Sequence, residues 1–206
     1  MATDDGHLLD LDQFEDLDDA LAQLKDSRAY EEVLREALDP SAQFGLLTLF
    51  AMSACTRFRG LHEAVVREVE ATNPHAVFPL NRAFAETVLT VAYAHDHPDY
   101  VERILERRGE QPKELKRLPI RKLIDHIAPD APGFNQVYDE LCEITHFGSV
   151  ALWQPHSITG ERTLQWGSAP RWSNDREALI ACAQLKEMSA AAVAYLHYFT
   201  QRHLTT

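Results

Sequence analysis

The sequence contains few glycines and cysteines, and neither residue type forms a recognisable site motif. Its 8 glycines are scattered over 206 residues, and neither GxGxxG nor GxxxxGK[ST] occurs. Rossmann and P-loop nucleotide sites need such loops, because glycine lets the backbone approach a phosphate closely. The three cysteines, Cys55, Cys142 and Cys182, lie far apart and form no CxxC pair. We therefore expect reduced thiols, no bound cofactor and no zinc site.

The chain also lacks the features that direct a protein into or across a membrane. It begins without the basic residues and the apolar run of a secretion signal. No later stretch resembles the roughly 18 consecutive apolar residues of a membrane span. These absences predict a cytoplasmic protein without membrane contact. A hydrophobic content of 45% over this length predicts one sizeable core.

Positively charged residues are missing from the N-terminal segment. Residues 1–19 contain eight acids and no Lys or Arg, and the whole chain has a net charge of -12. Leucines recur every three or four residues in the same segment, which predicts an acidic amphipathic segment over 1–27. Residues 103–122 contain eight basic side chains against three acidic ones. This basic segment is the candidate for contact with nucleic-acid phosphates, or for covering by the acidic segment.

The hydrophobic spacing predicts a mostly all-α antiparallel helical bundle over residues 28–206, formed as a single domain. Residues 149–172 differ, because they alternate as β-strands do around a Thr159-Gly160 turn. They contain all three tryptophans, and we predict a small hairpin or lid there. The predicted helices cover Phe44 to Ala71, His75 to Ala94, Asp99 to Gly109, Ile120 to Ile127, Gly133 to Phe147, and Asp175 to Arg202.

Arg82 and Glu86 are the only formal charges between residues 76 and 94. Their spacing of four lets the two side chains meet on a helix. The helix is apolar all round, which is typical of a buried element, and a buried charge must be paired. Two interpretations stay open. The pair either only locks the packing of helices, or it faces a ligand in a cavity.

A second helix, FNQVYDELCEITHF, brings Tyr138 inward and stacks Asp139, Glu143 and His146 on another side. Two acids beside an imidazole can raise its pKa, although a solvated acidic face has the same pattern. Glu143-x-x-His146 has the spacing of carboxylate metal sites in bundles, but those sites need the motif twice. It occurs once, so no metal is expected. The candidate polar site comprises Arg82, Glu86, Tyr138, Glu143 and His146.

The order of NRAFAE and YDELCEITHFGS resembles bacterial helical proteins of unknown function. Their pattern is Arg-x-x-x-Glu followed by Tyr-x-x-Leu-x-x-x-x-His, and they are distantly similar to HEPN domains. The resemblance covers residues 77–149. It implies that Arg82, Glu86, Tyr138 and His146 are polar core positions.

Two further pairs fit the Arg-x(4 to 6)-His pattern of HEPN-type ribonucleases, which act as dimers. They are Arg57 with His62 and Arg121 with His126. In a chain with this much Arg and His, about two such matches arise by chance.

The leading hypothesis is an uncharacterised helical bundle with an interior polar site that binds a small ligand. One alternative is a dimeric HEPN-like ribonuclease or defence toxin. Another is a regulatory module that engages a protein partner through its acidic N-terminus. Whether the protein is an enzyme stays open.

Overall fold

A computed structural model describes residues 9–38, 44–105, 118–146, 148, 156–160 and 163–205. Its helices are α1 (Leu17–Leu24), α2 (Ala29–Ala37), α3 (Leu46–Glu70), α4 (Pro74–Asp96), α5 (Asp99–Leu105), α6 (Ile120–Ile127), α7 (Phe134–Thr145) and α8 (Asp175–His203). The predicted all-α helical bundle is confirmed.

Helix α4 lies at the centre of the bundle and contacts α3, α5, α6, α7 and α8. A three-residue turn after α3 returns the chain along that helix, and Thr72 in this turn has a φ of 55°. Val77 and Phe84 are buried on one side of α4, and Leu89 is buried on another. The apolar pattern of the sequence is thereby explained, because neighbours surround this helix.

Helix α8 packs against α1, α2, α3 and α4. It begins as predicted at the cap formed by Asn174, whose side chain accepts a hydrogen bond from the Glu177 amide at 2.9 Å. By length and composition alone, α8 is long and apolar enough to span a membrane. The window concerned has a mean hydropathy of 1.2, and 44% of it is buried inside the protein. The core helix of a bundle meets the same criteria, because its apolar residues face other helices.

The acidic N-terminal segment is joined to the core. Asp16 is extended and caps α1 by accepting from the Asp19 amide at 2.8 Å, so the helix begins at Leu17. Phe14, Leu21 and Leu24 are buried in the same cluster as the other helices. The acidic segment ends near residue 27, but the hydrophobic core continues across this boundary. Residues 1–8 lie outside the described part.

Two short strands lie between α7 and α8, within the tryptophan-rich segment. β1 (His156–Gly160) pairs antiparallel with β2 (Thr163–Trp166), with His156 opposite Trp166. Trp172 packs edge-on against Phe78, with ring centroids 6.0 Å apart. Action as a lid stays a prediction. Trp153 lies outside the described residues, and so do residues 106–117 of the basic segment.

Candidate functional site

Four of the five predicted polar side chains meet between α4 and α7. Arg82 Nε donates to Glu86 Oε1 at 3.2 Å along α4. The Tyr138 hydroxyl, on α7, donates to the same Glu86 oxygen at 2.8 Å and lies 3.4 Å from Arg82 Nε. Arg82 Nη1 lies 2.7 Å from His146 Nε2. We call these four residues the polar network.

The contact with Arg82 sets the direction of the hydrogen bond at His146. A guanidinium can only donate, so Nε2 of the imidazole is the acceptor in this contact. His146 directly follows α7, and its amide donates to the Cys142 carbonyl at 2.9 Å. This position at the helix end brings the exposed imidazole over Arg82.

Burial and hydrogen bonding set the charges inside the network. Burial raises the pKa of the Tyr138 hydroxyl, the bond from Arg82 opposes this rise, and Glu86 adds to it. Burial by itself disfavours the charged form of Arg82. The hydrogen bond to Tyr138 and the nearby Glu86 carboxylate favour the charged form, and together they outweigh the effect of burial. The pKa of Arg82 is raised as a result. The network therefore joins the guanidinium of Arg82 to a carboxyl group, a phenol and an imidazole.

The ion pair is less buried than the sequence predicted. The side chains of Arg82 and Glu86 are 20% and 31% exposed, because α7 covers this face of α4 only in part. Tyr138, in contrast, is buried. The expectation of an interior pair is corrected to a pair at the edge of the core, in part exposed to solvent.

Glu143 turns toward Gly148. A Cβ on that glycine would collide with Glu143 Oε1, and the Gly148 amide donates to the Glu143 carbonyl at 2.8 Å. Among the described residues, no three His, Cys, Asp or Glu side chains are grouped to hold a metal ion.

A cavity of about 480 Å³ lies beside the polar network, between α3, α4 and α5. Glu86 belongs to both. Apolar side chains from α3, α4 and α5 line most of the rest, and a few polar ones from α3 and α4 lie between them. The apolar ones are Leu49, Phe50, Ala54, Val91 and Ile104, and the polar ones are Ser53, Arg57, Thr87 and Thr90. A volume of this size is typical of small-molecule sites.

His62, predicted as one half of a ribonuclease pair, is a structural residue of the core. It is only 4% exposed. Its Nε2 lies 2.6 Å from the Leu24 carbonyl and must donate to it, which leaves the single lone pair of Nδ1 to accept from one of two nearby hydroxyls, Tyr30 at 3.0 Å or Ser189 at 3.1 Å. Burial lowers the pKa of His62. This buried imidazole cannot face an RNA phosphate in this structure, which corrects the use of Arg57 and His62 as a ribonuclease pair.

The other ribonuclease pair lies on α6, and acidic or amide groups engage both of its members. Arg121 lies 3.7 Å from Asp125 and bonds to Asn135. His126 Nε2 lies 3.1 Å from Asp96 Oδ2. Asp96 also accepts from Arg202 at 3.0 Å, so it joins the ends of α4, α6 and α8. Sequence reasoning missed this function of Asp96, because its two partners, His126 and Arg202, are remote along the chain.

Comparisons with protein-family models, curated proteins and solved structures give no match for this chain. The resemblance to HEPN-like helical proteins therefore stays a prediction.

Proposed function

We propose that the protein binds a small organic ligand in the cavity between α3, α4 and α5. The polar network forms the charged end of this cavity. The observation that carries the proposal is the position of Glu86. Its Oε1 holds Arg82 and Tyr138, while its side chain also lines the cavity.

The bonding of Glu86 supports a ligand-facing position. Both hydrogen bonds that Glu86 accepts reach Oε1, and no described residue donates to Oε2. A carboxylate has capacity for about four hydrogen bonds, so this oxygen can accept from a hydroxyl or amine of a ligand. If Arg82 and Glu86 served packing alone, the cavity beside Glu86 would be unexplained.

Ligand-observed NMR with a set of small acids, amines and alcohols tests the proposal. The wild type is compared with Glu86→Gln, which removes the charge, and with Ser53→Phe, which fills the cavity from an exposed position of α3. We expect every compound that binds the wild type to bind more weakly to Ser53→Phe, and compounds that carry a hydroxyl or amine to bind more weakly to Glu86→Gln as well. Glu187→Gln, an exposed acid on α8, is the matched control and should change nothing.

Two results contradict the proposal. Either no compound of the set binds to the wild type, or the compounds that bind do so equally well to Glu86→Gln and Ser53→Phe. Circular dichroism of each variant shows that a loss of binding is not a loss of fold.

A further inference from the structure

The cavity contains a second charged residue, Arg57 on α3, whose position is fixed by a neighbouring helix. Arg57 Nε donates to Thr87 Oγ1 of α4 at 3.0 Å. The Thr87 hydroxyl donates in turn to the Ala83 carbonyl at 2.8 Å, so its oxygen is left to accept. The guanidinium is therefore held at the cavity wall by a bond that uses only one of its nitrogens.

The terminal nitrogens of Arg57 have no hydrogen bond and no ion pair with any residue that the structure describes. Glu86 lines the same cavity but forms its ion pair with Arg82. Arg59, two residues further along α3, shows the contrast, since it pairs with both Glu31 and Glu63. In a chain with a net charge of -12, a positioned arginine without an acidic partner among the described residues is available for an anion from outside.

The rest of the cavity selects for an apolar body. Leu49, Phe50 and Ala54 line it from α3, Val91 from α4 and Ile104 from α5. Contact with these side chains favours a ligand that removes its own apolar surface from water. A small inorganic anion would leave this surface uncovered.

We propose that the ligand is an amphipathic anion, with an aliphatic or aromatic body and one carboxylate or similar compact anionic group. The anionic group binds the terminal nitrogens of Arg57, since a guanidinium offers two parallel donors to a planar carboxylate. The body packs against Leu49, Val91 and Ile104. This inference rests on the proposed function and names the ligand class for the same cavity.

Isothermal titration of the full chain with octanoate, octan-1-ol and octylammonium tests the ligand class, because the three probes share a body and differ in charge. Octanoate is expected to bind most tightly. Arg57→Gln should weaken the binding of octanoate by about tenfold, which corresponds to the loss of one charge-assisted hydrogen bond. The affinity for octan-1-ol should not change. Arg67→Gln, on the same helix but outside the cavity, should leave both unchanged.

A steric pair of variants locates the binding. Ser53→Phe should abolish binding of both octanoate and octan-1-ol. Gln201→Phe, which adds the same side chain at an exposed position of α8 outside this cavity, should preserve it.

The outcomes separate the two proposals. If octan-1-ol or octylammonium binds as tightly as octanoate, or Arg57→Gln leaves octanoate unchanged, the anionic class is wrong while cavity binding stands. If octanoate does not bind to the wild type at all, the anionic class is likewise overturned. The proposed function fails separately, through the wider compound set.

Discussion

At the scale of single residues, the Tyr138 hydroxyl connects α7 to the ion pair of α4. Tyr138→Phe keeps the ring and removes the donor to Glu86 Oε1. We expect the free energy of unfolding to fall by about 1 kcal/mol, because a hydrogen bond to a charged group is lost. Urea denaturation measures this change. Tyr198→Phe, at an exposed position of α8, is the control, and an equal loss in both variants would contradict this function of Tyr138.

His62 determines part of the pH dependence of stability. Its pKa is lowered in the folded protein below the ordinary value of 6.5, chiefly by burial. The unfolded chain therefore binds this proton at a higher pH than the folded protein does. The contribution of His62 is complete above about pH 6.5, and it is lost as the pH falls below that value.

Urea denaturation of the wild type and of His62→Gln at pH 7.5, 6.5 and 5.5 checks this expectation. The wild type should lose more stability between pH 6.5 and 5.5 than the variant does. Glutamine can still donate to the Leu24 carbonyl and accept at its own oxygen. Parallel curves for the two proteins would show that His62 does not titrate as the structure implies.

At the scale of helices, Asp96 fastens the ends of α4, α6 and α8. A carboxylate at a helix C-terminus opposes the helix dipole, and contacts with His126 and Arg202 offset this cost. Burial works against the charge of Asp96, but the surrounding His95, His126 and Arg202 outweigh it, so the pKa of this carboxyl is lowered. Its contribution to stability is present above pH 3.8 and is lost as the pH falls through the lowered value.

Asp96→Asn should loosen the attachment of α6. We expect faster amide hydrogen exchange in α6, equivalent to about 1 kcal/mol, and unchanged exchange in the middle of α3. Asp125→Asn is the matched control, because the ion pair of Asp125 within the described part of the chain is with Arg121 of the same helix, at 3.7 Å. Equal protection of the α6 amides from hydrogen exchange in both variants would contradict a stabilising contact between Asp96 and α6.

The helices themselves show what a sequence can predict. The predicted boundaries of α6 agree with the structure, and those of α4 differ by a residue or two, because apolar spacing and proline punctuation act locally. Arg82 and Glu86 were identifiable since both lie on one helix that is otherwise apolar. Arg57 is marked in the sequence only by the Arg-x(4 to 6)-His pattern, which does not predict its position in the cavity. Its importance depends on Thr87 of another helix, and only tertiary packing brings the two together.

At the scale of the whole molecule, one core joins the acidic N-terminal segment and the helices around α4. A ligand that binds only the folded protein stabilises it by an amount that grows with the ligand concentration. Octanoate should therefore raise the melting temperature of the wild type, and Ser53→Phe should show no such rise. A rise of the same size in both proteins would indicate binding elsewhere on the surface.

The central claim is that the polar network and the cavity beside it form a ligand site. Mapping methyl chemical shifts in the wild type during titration with the set of small acids, amines and alcohols tests it most directly. We predict that a binding compound shifts the methyl signals of Leu49, Val91 and Ile104, which line the cavity. The methyl signals of Leu34 and Leu185, which do not line it, should stay in place. If no compound of the set shifts the cavity methyls, Arg82 and Glu86 serve packing alone and the claim is contradicted.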